Sequence, residues 1–458
     1  MQLVRGLGVG VVVIALFALT GCSSGSSDGG DGGASRGVVH VPADYDTIQD
    51  AVDVAEPGDL VLVAPGTYRE AVTVETPNIV IRGEDRAKTI LDGDFELENG
   101  VRVVGAGGVV VENMTAQNYT ANGFFWTGAD GYRGSYLTAI RNGDYGLYAF
   151  ESVNGIFEHS YASGSPDAGF YIGGCFPCDA VIDDVTSEWN GIGYSGTNSG
   201  GDLYIVDSVF RENRVGMVPN SGTYEPCFPE RETTIVGNRV YANNNGENDA
   251  IDVAQTALGN GILLAGAVAN VVERNQVWDH EITGIGLVPL PEDDPQPVAS
   301  DSLADCEEAA PADVTDVAEG DLPATVFWPA SDNRVVGNEV SESGLADLGL
   351  EMIGTTPTPD GGNCFSDNVV TTTAPTDLQA KAPCGATASG DFTEGAFDVG
   401  VLIAREKPDV VPYEDVDLPD PGSQPNMPNA KTAKARPQRG APHYPDLASI
   451  VLPDKTTS

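Results

Sequence analysis

Lysine is nearly missing from the body of this chain: before residue 400 it occurs only at Lys88 and Lys381. Of 458 residues, 68 are acidic and 23 basic, a formal net charge of −45. A nucleic-acid binder must neutralise phosphates with Lys and Arg, so this balance argues against nucleic acid as a partner. It suits cation binding, or a salty habitat in which surface carboxylates keep a protein soluble. Histidine is scarce too, with four in all, and no Met, His or Cys cluster suits copper. Cys175-Phe176-Pro177-Cys178 has the spacing of half a zinc site, but no second CxxC accompanies it, so zinc is not expected and no metal site is assigned. Long helical periods are also absent from the body. The few cations gather late, at Lys431, Lys434, Arg436 and Arg439, giving an acidic body a locally basic tail.

The N-terminus is the easiest part to read. Arg5 precedes an apolar run from Val9 to Leu19, too short to span a membrane comfortably, and the run ends in Leu19-Thr20-Gly21-Cys22. Residues 1–21 read as a signal peptide. The small residues ahead of Cys22 resemble a bacterial lipobox, which implies cleavage before Cys22 and acylation of its thiol. Residues 22–37 are almost entirely Ser, Gly and Asp, a flexible linker. The expected location is extracytoplasmic: exported, and lipid-anchored to the cell membrane without spanning it. The other six cysteines, Cys175, Cys178, Cys227, Cys306, Cys364 and Cys384, are an even number in an exported chain, so disulfides are expected. Cys364 and Cys384 bracket one short segment and are the favoured pair.

The body repeats itself. Gly123, Gly146, Gly169, Gly191 and Gly216 each precede an apolar residue, and Gly261 and Gly284 continue the series, with most spacings at or near 23 residues. Such a period marks a solenoid, and the consensus is wrong for leucine-rich repeats. Each unit opens on a β-branched, often Asn-bearing strand, such as Ile235-Val236-Gly237-Asn238-Arg239-Val240, and a second short strand follows the glycine. One coil of a parallel β-helix per repeat accounts for this, with Gly at tight corners and Asn in a polar turn ladder.

The phrases "VPADYDTIQDAVDVAEPGDLVLVAPGTY" and "YASGSPDAGFYIG" make the chain resemble the right-handed parallel β-helix of the pectin-lyase-like superfamily. More narrowly, it resembles bacterial repeat domains shared by carbohydrate-binding proteins and sugar hydrolases. The implied fold class is all-β, a solenoid over residues 38–405 with an N-terminal cap (38–64) that contains a short helix from Tyr45 to Ala55. An acidic loop at 289–331 and a shorter one at 219–232 interrupt it, and residues 406–458 read as a Pro-rich tail, extended or disordered.

Strand alternation places Phe124, Leu147, Phe170, Ile192 and Met217 in one inward column, and Trp126, Ala149, Ile172 and Tyr194 in another. Between them Phe125, Tyr148 and Tyr171 point outward as a substrate-binding ladder with rungs about 4.8 Å apart, a surface on which sugar rings can stack. Asp144 and Asp167 lie beside it as neighbours. Such a pair can act as acid and base on a glycoside, or hold calcium, the one cofactor considered; it can equally be Asx turn chemistry. His159 completes the candidate catalytic set, with His280 the other body histidine. The signature Asp-Pro-His-Asp of alginate epimerases is missing, and Ser165-Pro166-Asp167 only echoes it. The expected function is therefore a monomeric surface lipoprotein that binds extracellular or cell-wall polysaccharide. Its alternatives are a polysaccharide lyase, hydrolase or epimerase, and an accessory or structural envelope protein.

Overall fold

The computed structural model describes residues 37–293, 295, 306, 325–351 and 360–455. The signal peptide, Cys22, almost all of the linker and most of the acidic loop lie outside these residues.

Short strands in sets of three build the body. Asp130–Ser135, Thr138–Ile140 and Tyr145–Phe150 make one coil, and Val153–Glu158, Tyr161–Ser163 and Ala168–Gly173 make the next. Each strand pairs in parallel with its counterpart one coil away. Among the described residues the stack forms parallel sheets of 12, 10 and 11 strands, which enclose one apolar lumen. The fold is a parallel β-helix.

Its first coil is closed by the helix Ile48–Val54, whose Thr47 side chain caps the Asp50 N–H at 3.0 Å and whose Ile48, Ala51 and Val52 are buried. An end cap is required because a bare terminal coil would present unpaired strand groups and an open core.

The repeated glycine is there for close approach. A Cβ on Gly146 would sit 2.5 Å from the Gly169 carbonyl oxygen and 2.8 Å from the Ala162 side chain. The glycine and the residue after it both face the lumen, so alternation breaks at this point in the coils that carry it. Two sequence-based placements fail here, Ile192 in the first inward column and Tyr194 in the second. Phe124, Leu147, Phe170, Tyr194 and Met217 form the inward column in register, and Ile192 instead joins an apolar cluster on the outside. In Asn190-Gly191-Ile192-Gly193 the structural equivalent of Gly169 is Gly193, which also approaches the next coil's carbonyl, so counting from Gly191 shifts the strand by two.

Asparagine ladders bind the coils at their corners. Asn238, Asn275 and Asn338 each donate to the next asparagine at 2.9–3.0 Å, and Asn368 ends the row on Gln379. These amides are buried, and stacking lets each one satisfy its neighbour. The structure joins Cys364 to Cys384, Cys175 to Cys178, and Cys227 to Cys306. The CxxC is thus a disulfide. The tail from 406 to 455 contains no strand or helix and lies along the solenoid.

Candidate functional site

The outward residues of the eleven-stranded sheet run in register from Thr73 through Arg102, Phe125, Tyr148 and Tyr171 to Ser195. Stacking of coils thus converts a sequence period into a row of rings. Phe125 and Tyr148 stack with centroids 4.6 Å apart, and Tyr148 meets Tyr171 edge-on at 4.9 Å. The Arg102 guanidinium lies 5.7 Å from the Phe125 ring, and among the described residues it has no ion-pair partner. Phe125 and Tyr148 are partly exposed, whereas Tyr171 is 1 % exposed.

Tyr171 is covered by the 219–232 insertion. Its hydroxyl lies 2.5 Å from each Glu225 oxygen and donates to that carboxylate. The insertion is held in turn by the Cys227–Cys306 bond, by Thr223 donating to Glu292, and by Arg231 lying 3.4 Å over the Phe176 ring. Beyond it, the helix Asp252–Thr256 and the segment around Phe397 pack on Ile192, Val215 and Val218. The ladder is consequently open at its N-terminal part and roofed further along.

A fourth ring escaped the alternation argument. Tyr145 stacks on Tyr148 at 4.3 Å and lies 5.0 Å from Tyr171. Strict alternation puts it inside; the inward Gly146 puts it outside. Its hydroxyl hydrogen-bonds Asp167, which joins the ladder to the carboxylate pair.

Asp144 and Asp167 occupy adjacent coils, with the Asp167 N–H donating to the Asp144 carbonyl at 3.1 Å. Burial lifts the Asp167 carboxyl to about 7, against the lowering effect of the Tyr145 hydrogen bond and with the help of the Asp144 charge. Desolvation and the Glu98 charge raise Asp144 as well. Glu225 is pushed up to about 8, mainly by burial, despite the Tyr171 hydrogen bond. Glu225 is the functional candidate that sequence reasoning missed, since it belongs to an insertion outside the repeat. Among the described residues no group of three or more His, Cys, Asp or Glu side chains could hold a metal ion.

His159 is not brought to this face. It occupies a left-handed corner position, φ 50°, between the twelve-stranded and ten-stranded sheets, where its ring contacts Asp184 at 2.7 Å and Tyr136. That Asp184 bond raises its pKa. His280 is fully buried at the end of an asparagine row beside Asn243, and burial lowers it to about 3. A separate depression of about 760 Å³ beside the short helix Leu378–Lys381, between Thr371–Ala374 and Gly395–Asp398, has no aromatic row.

The family described as "Right handed beta helix region" matches residues 99–289. The solenoid is right-handed. No curated protein matches the chain significantly. Among solved structures, the mannuronan C-5 epimerase A-module of Azotobacter vinelandii is 16% identical with a TM-score of 0.44, covering 70% of this chain and 88% of that one. An alginate lyase of Paenibacillus sp. str. FPU-7 is 13% identical (TM-score 0.45; 69% and 98% covered), and a pectate lyase is 14% identical (0.42; 92% and 97%). The names of these neighbours give mannuronan, alginate and pectate as what they act on, and no residue role is carried over from them to this chain.

Proposed function

We propose that the protein binds a polysaccharide along the open part of the eleven-stranded face, through Phe125, Tyr148 and the rings beside them. The observation that supports this most is the in-register stack of Phe125 on Tyr148, partly exposed on a rigid sheet. A flat apolar ring surface flanked by hydrogen-bonding carboxyls suits a sugar, which presents C–H faces and hydroxyl edges together. Arg102, at the N-terminal end of the row, adds a cation on an otherwise acidic molecule, so acidic polymers belong among the candidates. The rest of this reading is a monomer exported and tethered through a lipidated Cys22, with the 22–37 linker holding the solenoid off the membrane.

A second reading, a polysaccharide lyase, hydrolase or epimerase, is favoured by one observation: Asp167 at about 7 and Glu225 at about 8 both lie against the same tyrosines. Groups poised near neutrality can donate and accept protons at a sugar. Asp167 would then exchange a proton with bound sugar, while Tyr145 orients it and Asp144 tunes it.

Retention of the purified chain on gels containing acidic or neutral polysaccharides tests the binding reading, with unsaturated products and new reducing ends recorded from the same samples. Retention without products supports binding alone. Products that disappear in Asp167→Asn establish an enzyme, and absence of both signals rejects polysaccharide as the partner.

A further inference from the structure

The last fifty residues cover the faces that the ligand reading leaves unused. From residue 405 the chain descends along one corner of the solenoid, where Arg141 donates to the Val416 carbonyl at 2.6 Å. It crosses to Arg86, which donates to the Pro425 carbonyl at 3.2 Å, and reaches the first coils at Arg82, which donates to the Ala433 carbonyl at 2.6 Å. It then turns and climbs the twelve-stranded sheet to its corner with the ten-stranded sheet, where Arg274 donates to the Leu447 carbonyl at 2.7 Å and Arg239 to the Asp454 carbonyl at 3.1 Å. Five solenoid arginines therefore grip the tail by its main chain.

Charge and apolar packing add to this grip. Lys431 pairs with Glu84 and Lys455 with Glu342, each at 2.7 Å, so tail cations meet body carboxylates. Ala435 packs over Leu60, Leu62, Val80 and Val110, and Ile450 over Val206 and Val236. Beneath the tail, Arg86 is 1 % exposed and its guanidinium donates to carbonyls and to Thr138, with no carboxylate partner among the described residues. A buried, unneutralised guanidinium is costly unless its N–H groups are satisfied, and the tail supplies one of the acceptors.

We propose that residues 410–455 are a detachable strap: a peptide ligand, with most of its cations clustered between Lys431 and Arg439, for a binding track built on the outside of a solenoid that is already complete without it. Two features separate the strap from the folding unit. The lumen is closed at both ends by other residues, by Ile48–Val54 at the start and by Leu378–Lys381 after the last coil. The arginines read carbonyl oxygens, which every peptide segment presents, so the track fixes the path of the strap more than its sequence. Ion pairs at the surface are screened by salt, so the hold weakens as ionic strength rises.

The test uses the whole folded chain with a specific protease site placed between Asp409 and Val410, cut after purification. The expected result is that the nicked tail co-elutes with the solenoid at low salt and leaves it at about 1 M salt. The solenoid keeps its β-sheet circular dichroism, and a synthetic 410–455 peptide rebinds when salt is removed. Arg141→Gln, at the rim of the track, should lower the salt needed for release. Loss of the tail at low salt as soon as it is cut, or collapse of the β-sheet signal when it leaves, would overturn the proposal. Retention of the cut tail in high salt by both wild type and Arg141→Gln would overturn it too.

Discussion

The Tyr171 hydroxyl sits 2.5 Å from both oxygens of Glu225, a residue 54 positions further along the chain. This contact ties one rung of the aromatic ladder to the loop that covers it, and it places an acidic group in a site already occupied by Asp167. Desolvation holds Glu225 back from ionising, and the Asp167 charge adds to that effect.

Stability should therefore depend on pH through this pair. Asp167 and Glu225 are raised from ordinary values of 3.8 and 4.5 to about 7 and about 8, so the folded chain binds protons more tightly than the unfolded one. Their contribution is fully present below about pH 4 and is lost as pH rises through about 8. Glu225→Gln keeps a hydrogen-bonding side chain but cannot ionise. Melting curves from pH 5 to 9 should show Tm falling less steeply in this variant than in the wild type; parallel curves would contradict the assignment.

The asparagine rows make a prediction about energy. Asn338 donates to the Val272 carbonyl at 3.0 Å and to Asn368 at 2.9 Å, while accepting from Asn275. Asn338→Ala strands buried groups on both neighbouring coils, at about 1–3 kcal/mol for each group left unpaired. Urea unfolding should show a loss of that size.

A buried ion pair anchors the first coils. Arg82 and Glu112 meet at 2.6 Å with both side chains at 0 % exposure, and Glu112 also pairs with Arg133 at 2.7 Å. Glu112→Gln leaves Arg82 without a counter-charge and should cost about 3–5 kcal/mol in the same urea assay. Removing the exposed partner in Lys88→Ala, which pairs with Asp85, should cost under about 1 kcal/mol.

Much of this architecture could be read from the sequence because a solenoid repeats its instructions. The 23-residue period exposed the coil, the phrase around Tyr45 to Val63 marked the cap, and parity placed Phe125, Tyr148 and Tyr171 on one outward row. Parity failed where two glycines competed, at Gly191 and Gly193, and where an inward glycine broke the alternation, at Gly146, which hid Tyr145. Glu225 and the strap were illegible for a different reason. Each belongs to a segment outside the repeat, where no periodicity says which neighbour it meets; for the strap, the one available signal was the cluster of cations from Lys431 to Arg439 against an acidic body.

The central claim is that the open rings grip a polysaccharide, and one comparison tests it most directly. Wild type and the Phe125→Ala/Tyr148→Ala variant are run side by side in native gels cast with the polymer that retards the wild type best. Circular dichroism of both confirms that the solenoid is intact. The account expects retardation to weaken by at least about tenfold in apparent affinity, the equivalent of about 1.4 kcal/mol. Equal retardation of the two proteins would contradict it.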